Sequence, residues 1–380
     1  MKVSEVVKVL ESVAPPYLAA DWDNVGLLVG DRAAEARKLL LCIDLTEAVL
    51  AEAVRTAARM VMAYHPVIFK PLGRVTAEDS PTVYQAARQG IAVYSMHTAY
   101  DAAPGGTNDV LADVLGLTAR RPLEATCRRQ QCKIVVFTPP DDLHRVCEAA
   151  FAAGAGRIGN YRDCAFFAHG IGAFCGEAGS HPTIGQVGQH EAAEELRLEI
   201  IAPLSKAASV CDAIRAAHSY ETPAIDVYPL ADFPEGCGAG RVGLLARPAT
   251  VARLIARVKK ATGLKNVLVA QAAGRGQAGA RAARRRLRPA RPVTVAACAA
   301  GAGGSLVRAA AAAGAQFYLT GELRHHDALA ATAAGMTVVC LGHSNSERIA
   351  LTVLARRLSL ALPKLAVALS QADADPFESQ

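Results

Sequence analysis

The sequence predicts an α/β protein: two α/β halves forming one layered core, with a ferredoxin-like α+β module inserted between them. Three observations predict this. Short continuous apolar runs alternate with helical stretches up to about residue 125. From residue 133 the rhythm changes to a β-α-β-β-α-β order, which suits a ferredoxin-like split module. At 236–245 the sequence GCGAGRVGLL returns to the style of the first part. The spans expected are 1–125 for the first half, 130–232 for the insert and 236–370 for the second half. The two halves need not be separate domains, because strands and helices of both can share one core.

In the first half, Ser4 is expected to cap a helix that runs to about Ser12 and stops at Pro15-Pro16. The loop DWDNVG at 21–26 holds the only tryptophan, Trp22. It reads as a packing anchor near a turn, with a ligand contact as the alternative. Val25 to Val29 is a short strand. Lys38 to Ile43 (KLLLCI) is the continuous apolar run of a strand covered on both faces. Thr46 caps a helix to about Arg59. A second buried strand, Met60 to Ala63, leads directly into Tyr64-His65-Pro66. A helix at 81–89 precedes a strand at 91–96. This β-α-β-α-β order calls for right-handed crossovers in an α/β layer. His97 and Asp101 follow that strand on a strand-to-helix loop, where Pro104-Gly105-Gly106 marks a turn. Thr107 is expected to cap a helix over 108–115, ended by Gly116. Residues 118–131 are charged and irregular, and read as a boundary.

The insert is read as strand 133–137, helix 142–153, strands 164–167 and 171–175 around a glycine turn, strand 195–202, helix 206–218 and strand 224–228. The second half follows with helix 250–261 and strand 266–270. After an arginine-rich loop come strand 293–298, a glycine turn at Gly301-Gly303-Gly304 and helix 306–313. Strand 317–319, a loop at Thr320-Gly321-Glu322, helix 327–334 and strand 336–341 lead to GHSNSE and a helix ending near Leu358.

With 380 residues the chain has room for two or three domains, and 52% hydrophobic residues can fill their cores, which argues against a disordered chain. The net charge is +6, and much of the excess sits at Arg281, Arg284, Arg285, Arg286, Arg288 and Arg291. No aromatic residue is interleaved there, so a solvated loop is preferred over a nucleic-acid patch. The ten cysteines are scattered with no CxxC pair. The start, MKVSEVVKVLESV, reads as an amphipathic helix rather than a targeting segment. Together these imply a reduced, cytoplasmic protein with structural thiols. No uncharged run is suited to span a membrane; the stretch from Pro292 to Val307 is glycine-rich and broken by Arg308.

Three strand ends deliver polar groups: His65, then His97 with Asp101, then His343 with Glu347. Nitrogen and oxygen donors without thiolates suit a divalent Zn, Mn or Fe ion. Each element has a plainer reading. His65-Pro66 can be a hydrogen-bonded core turn, and Asp101 can brace the Pro-Gly-Gly turn. Ser344 to Glu347 fits the S-x-x-E capping box, in which Glu347 bonds back to the Ser344 amide. Several such groups, all following apolar strands, favour a site. Gly301-Ala302-Gly303-Gly304-Ser305 resembles a phosphate-cradling loop but lacks the P-loop lysine, and a tight turn is the preferred reading. His325-His326-Asp327 is read as a helix start or as groups behind the ligands.

Four motifs in order, YHPVIF at 64–69, HTAYDAAPGGTND at 97–109, TGELRHHDAL at 320–329 and GHSNSE at 342–347, resemble the NIF-three-like family of GTP cyclohydrolase 1 type 2 homologues. The resemblance covers about 1–125 and 236–360. Residues 130–232, ending in YETPAIDVYPL, resemble the PII-like insert of its longer bacterial members. What the resemblance implies is a toroidal homohexamer with two metal ions per subunit facing an interior cavity. His65, Asp101, His343 and Glu347 match metal-ligand positions, with His97 as ligand or near-ligand. Tyr64 departs from the family, standing where it has the first of two adjacent histidines. A phenol with a pKa of about 10 is a poor ligand. His65, Asp101 and Glu347 would then hold one firm ion, and His343 with a bridging Glu347 a weakened second. The function implied is a metal-dependent hydrolase of a nucleotide or phosphoester, with GTP ring opening as the family label. Asp101 and Glu347 would hold metal and orient water, and His97 would be the catalytic proton carrier. The alternative is a non-enzymatic hexameric assembly with structural or regulatory metal, in which the PII-like module senses a small ligand or caps the ring.

Overall fold

The computed structural model describes residues 1–126, 128–272 and 292–377. They form two compact units: Met1–Thr126 joined with the segment from Pro234 onward, and a second unit between them that ends at Phe233. No helix among the described residues is long and apolar enough to cross a membrane. No disulfide joins the described cysteines. The arginine-rich stretch at 281–291 lies outside the described residues.

The first unit begins with α1 (Val3–Val13), β1 (Gly26–Val29), β2 (Lys38–Cys42), α2 (Glu47–Arg55), β3 (Met60–Ala63), α3 (Pro81–Arg88), β4 (Ala92–Ser95), α4 (His97–Ala102), α5 (Thr107–Leu115), β5 (Leu117–Arg121) and β6 (Glu124–Ala125). Ser4 does not cap α1. The helix starts earlier, after Lys2, because Val3 is wholly buried and the Glu5 carboxylate accepts the Lys2 amide at 2.6 Å. Thr46 does cap α2, accepting the Val49 amide at 3.3 Å, a bond that typically contributes about 1 kcal/mol. The charged boundary proves to be an edge strand: β5 buries Leu117 and exposes the rest. Arginines on an exposed edge discourage pairing with another chain, which is why the segment reads as irregular.

The second unit runs β7 (Arg128–Thr138), α6 (Leu143–Ala152), β8 (Ala165–Cys175), β9 (His190–Pro203), α7 (Ala207–Ala217) and β10 (Ile225–Asp232). Its sheet is antiparallel throughout, in the order β10-β7-β9-β8. The two strands expected around a glycine turn are one continuous β8. Gly170 and Gly172 stay in register against Glu195 and Ala193, because β9 offers a partner along its whole length. Ile134 and Val136 of β7, Leu198 and Ile200 of β9, Val146 of α6 and Val210 and Ile214 of α7 form its core.

The first unit then resumes with β11 (Gly238–Ala239), β12 (Arg241–Ala249), α8 (Val251–Thr262), β13 (Leu268–Ala270), β14 (Val293–Ala302), α9 (Val307–Ala312), β15 (Phe317–Glu322), α10 (His325–Ala333), β16 (Thr337–Cys340), α11 (His343–Ala361) and β17 (Ala366–Leu369). One five-stranded sheet has the order β1-β4-β3-β2-β17 and one six-stranded sheet the order β13-β16-β15-β14-β12-β5. The strand pairs β17·β2, β2·β3, β3·β4, β14·β15 and β15·β16 are parallel. The period of two explains the continuous apolar runs. Leu39, Leu41, Met60 and Met62 feed one core, while Leu40, Cys42, Val61 and Ala63 feed another on the opposite face. In the six-stranded sheet, Phe317 and Leu319 face one core and Tyr318 the other. Thr320-Gly321-Glu322 is therefore not a loop but the end of β15. Helix α11 lies between the sheets: Leu351, Leu354 and Leu358 pack into the core of the first, and Ile349 touches both cores. It then delivers β17, which sequence reading missed, back to β2 of the first sheet.

One buried node pins these parts together. Arg241, 1% exposed, reaches the Asp109 carboxylate with two nitrogens at 3.0 and 3.1 Å. It also donates to the carbonyls of Gly238 and Gly240 at 2.6 and 2.8 Å. Asp109 in turn accepts the Gly105 amide at 2.7 Å, so the Pro-Gly-Gly turn is braced by Asp109 rather than by Asp101.

Candidate metal centre

Parallel register assembles the site. Cys42 pairs with Ala63 and Ala63 with Ser95. Two residues past each of those positions stand Asp44, His65 and His97. The backbone bonds continue that far, with the His65 amide on the Ile43 carbonyl at 3.0 Å and the His97 amide on the Tyr64 carbonyl at 3.1 Å. The other sheet uses the same device. Thr320 pairs with Cys340, the Gly342 amide bonds the Gly321 carbonyl at 2.9 Å, and Glu322 and His343 emerge side by side.

Three imidazoles are each braced through Nδ1 by a carboxylate. His65 meets Asp44 at 2.9 Å, His97 meets Asp23 at 2.8 Å and His343 meets Glu322 at 3.1 Å. A carboxylate only accepts, so Nδ1 carries the proton and Nε2 is directed elsewhere. For His65 and His343 that elsewhere is Glu347, with His65 Nε2 3.2 Å from Oε2 and His343 Nε2 3.4 Å from Oε1. Glu347 is only 2% exposed, and it is no capping residue. Helix α11 starts after Gly342, and the Ser344 hydroxyl goes to Asp375 at 2.8 Å, so the capping-box reading fails. Gly301, at φ +59°, gives the centre room: a Cβ there would lie 2.9 Å from Glu347 Oε1 and 3.3 Å from His343 Nε2.

The donor set fits a divalent cation. Ligand atoms of His65, His343 and Glu347 all lie within 4.8 Å of one another. The buried atoms His65 Nε2 and Glu347 Oε2 find no hydrogen-bond partner, which buried polar atoms rarely tolerate. Burial alone would depress the His65 pKa. The Asp44 hydrogen bond and the charges of Glu347 and Asp44 outweigh it and hold the imidazole up at about 10. A cation arriving at Nε2 therefore displaces a proton.

Asp101 is not one of these three ligands, although it lies near enough to feel the Glu347 charge. It lies on α4, a helix where a loop was expected, and its carboxylate accepts the Tyr64 hydroxyl. Tyr64 shares a second bond with Thr107 Oγ1 at 2.7 Å. Thr107 is thus the first residue of α5 rather than its cap; its hydroxyl is committed to Tyr64. Burial, then the charges of Asp101 and Glu347, push the Tyr64 phenol well above its ordinary pKa, so it stays neutral. Burial and the nearby Glu347 charge raise Asp101 to about 6, against hydrogen bonds from Tyr64 and Thr107.

His97 has φ +28°, a strained value for a non-glycine residue, and its ring lies 5.3 Å from that of His65. Asp23 holds it, and burial of Asp23 is outweighed by bonds to His97 and Thr98 that keep its pKa low. Trp22 is not a buried anchor: it is 63% exposed and meets His97 edge-on at 5.9 Å. His325 and His326 begin α10, exposed and outside the triad. Sequence reading missed Asp23, Asp44 and Glu322. The signal for Asp44 was present, since it is the first polar residue after an apolar strand, as His65 is.

The chain matches the model of the Duf34/NIF3 (NGG1p interacting factor 3) family over residues 1–376. The chain belongs to the DUF34/NIF3 family. Its relatives in that family include a Bacillus subtilis protein named GTP cyclohydrolase 1 type 2 homolog, 32% identical over 98% of this chain and 97% of the relative. A Listeria innocua protein of the same name is 32% identical over 92% and 91%. Among solved structures, a Bacillus cereus protein related to NIF3 is 32% identical, with a TM-score of 0.66 over 100% of this chain and 99% of that one. Staphylococcus aureus protein SA1388, 23% identical with a TM-score of 0.76, shares the fold.

Proposed function

We propose that this NIF3 protein is a metal-dependent hydrolase acting on a nucleotide or phosphoester, with one firm cation site formed by His65, His343 and Glu347. The observation that carries the reading is the buried Glu347 carboxylate between two Nε2 atoms whose rings are each braced by a second carboxylate. When bound, a divalent ion of the Zn, Mn or Fe kind supplies a water acidic enough to attack near neutral pH. The chain's own residues do the rest. Asp44 and Glu322 fix the ring orientations. His97, oriented by Asp23, has its second nitrogen available to carry a proton to or from the reacting group. Asp101, held by Tyr64 and Thr107, adds a carboxyl close to Glu347. The name borne by the relatives points to GTP as the first nucleotide to try.

The second unit is proposed to be a PII-like module, supported by its β-α-β-β-α-β order, and the assembly a homohexamer. Elemental analysis should find about one divalent ion per subunit, lost in Glu347→Gln. His97→Asn should keep the ion and lower nucleotide turnover by about 10²–10⁴-fold. A variant without Glu347 that retains its ion, or a His97 variant that turns over normally, would sink the reading.

A second reading, a non-enzymatic assembly, is favoured by one observation. Tyr64 stays a neutral phenol and occupies Asp101, so the centre lacks the donors for a strong second ion. Chelation that dissociates the oligomer would support it.

A further inference from the structure

We infer that Trp22 and Phe69 form an aromatic platform at the rim of the centre on which the planar nucleobase of the substrate stacks. This rests on the nucleotide reading above. Trp22 is the chain's only tryptophan and Phe69 is also half exposed, at 50%. Their ring centroids are 6.0 Å apart at 61° in an edge-on pair, and both rings remain exposed to a ligand. Large aromatic rings left in water forgo burial that a packing role would secure.

The pair is held in place. The Asp23 carboxylate, next to Trp22, accepts from His97 Nδ1 at 2.8 Å and from the Thr98 amide at 3.1 Å. Asn24 Nδ2 donates to the Ile68 carbonyl at 2.6 Å and ties the tryptophan turn to the residue before Phe69. The Ala20 amide donates to Thr98 Oγ1 at 3.0 Å. The same carboxylate therefore orients the proton-carrying imidazole and positions the indole. The indole lies 5.9 Å from His97, which lies 5.3 Å from His65, so a ring on the platform sits beside the reacting region. Exposed Lys70, directly after Phe69, supplies positive charge of the kind a phosphate-bearing ligand needs. Stacking on an aromatic face accepts any base, so the platform sets ligand class rather than base identity.

The test uses the metal-loaded full chain and its single tryptophan as reporter. GTP and guanosine should quench Trp22 emission saturably, and tripolyphosphate should not. By calorimetry, Trp22→Leu should weaken GTP binding about tenfold or more with tripolyphosphate binding unchanged, and Trp22→Phe should restore most of it. Phe69→Leu should weaken GTP in the same direction. Wild-type affinity for GTP in Trp22→Leu overturns the platform, as does an equal loss for GTP and tripolyphosphate. So does a change in oligomeric mass on sizing, which would make Trp22 a contact between subunits. The two readings fail separately. Quenching by guanosine without turnover of any nucleotide removes the hydrolase and keeps the platform. GTP turnover with an unchanged KM in Trp22→Leu removes the platform and keeps the hydrolase. Neither quenching nor turnover removes both.

Discussion

The two sheets of the first unit each hand one imidazole to Glu347, by the same register device and in different surroundings. On the five-stranded side His65 follows β3, Asp44 follows its parallel neighbour β2, and the buried Tyr64 lies alongside. On the six-stranded side His343 follows β16 and Glu322 ends its parallel neighbour β15. The His65 side chain is 23% exposed and the His343 side chain 40%. A hydrogen bond to a charged group strengthens as water is excluded. The His65 side is therefore the anchor, and the His343 side the wetter one.

The largest break in this symmetry is to remove what both sides share. Glu347→Ala should abolish stoichiometric metal, read by elemental analysis, while both imidazoles remain. Next is the buried node that ties β12 to α5. Arg241→Met leaves Asp109 buried with less compensation and should cost about 3–5 kcal/mol in denaturant unfolding. Adding Asp109→Leu should recover part of that loss, because a buried pair replaced by apolar groups is often near neutral. The comparison itself is sharpened by the bracing carboxylates. Asp44→Asn should weaken metal binding about 10–100-fold, and Glu322→Gln should fall at or below the lower end of that range. Equal losses would erase the distinction between anchor and wet side. The smallest expected change is Tyr64→His, which offers a nitrogen in place of the phenol. The ion count per subunit should rise from about one toward two; two ions in the wild type would show that Tyr64 does not limit the centre.

Much of the site was legible because its residues follow apolar strands. His65, His97 and His343 stand out as the first strongly polar groups after runs that must be buried. Their bracing carboxylates were harder to read. Asp23 precedes His97 by seventy-four positions in the chain, and no local pattern pairs them. Glu322 was hidden because Thr320-Gly321-Glu322 has the composition of a loop, yet it extends β15 where parallel neighbours supply its hydrogen bonds. Ser344 to Glu347 carried a correct local motif that the fold did not use, because α11 already begins after Gly342 and Glu347 is needed by two imidazoles. Trp22 read as an anchor on residue type alone; its exposure depends on a turn held by Asp23 and Asn24.

By itself the sequence determined most element types, the α/β class and family, and the polar groups at strand ends, since these follow from apolar periodicity and local motifs. Only the tertiary structure decided which groups meet. It joined His65 and His343 on Glu347, assigned Asp101 to Tyr64 and returned β17 to the first sheet. Those outcomes depend on strand register and on helix α11 lying between two sheets, both set by contacts between residues far apart in the chain.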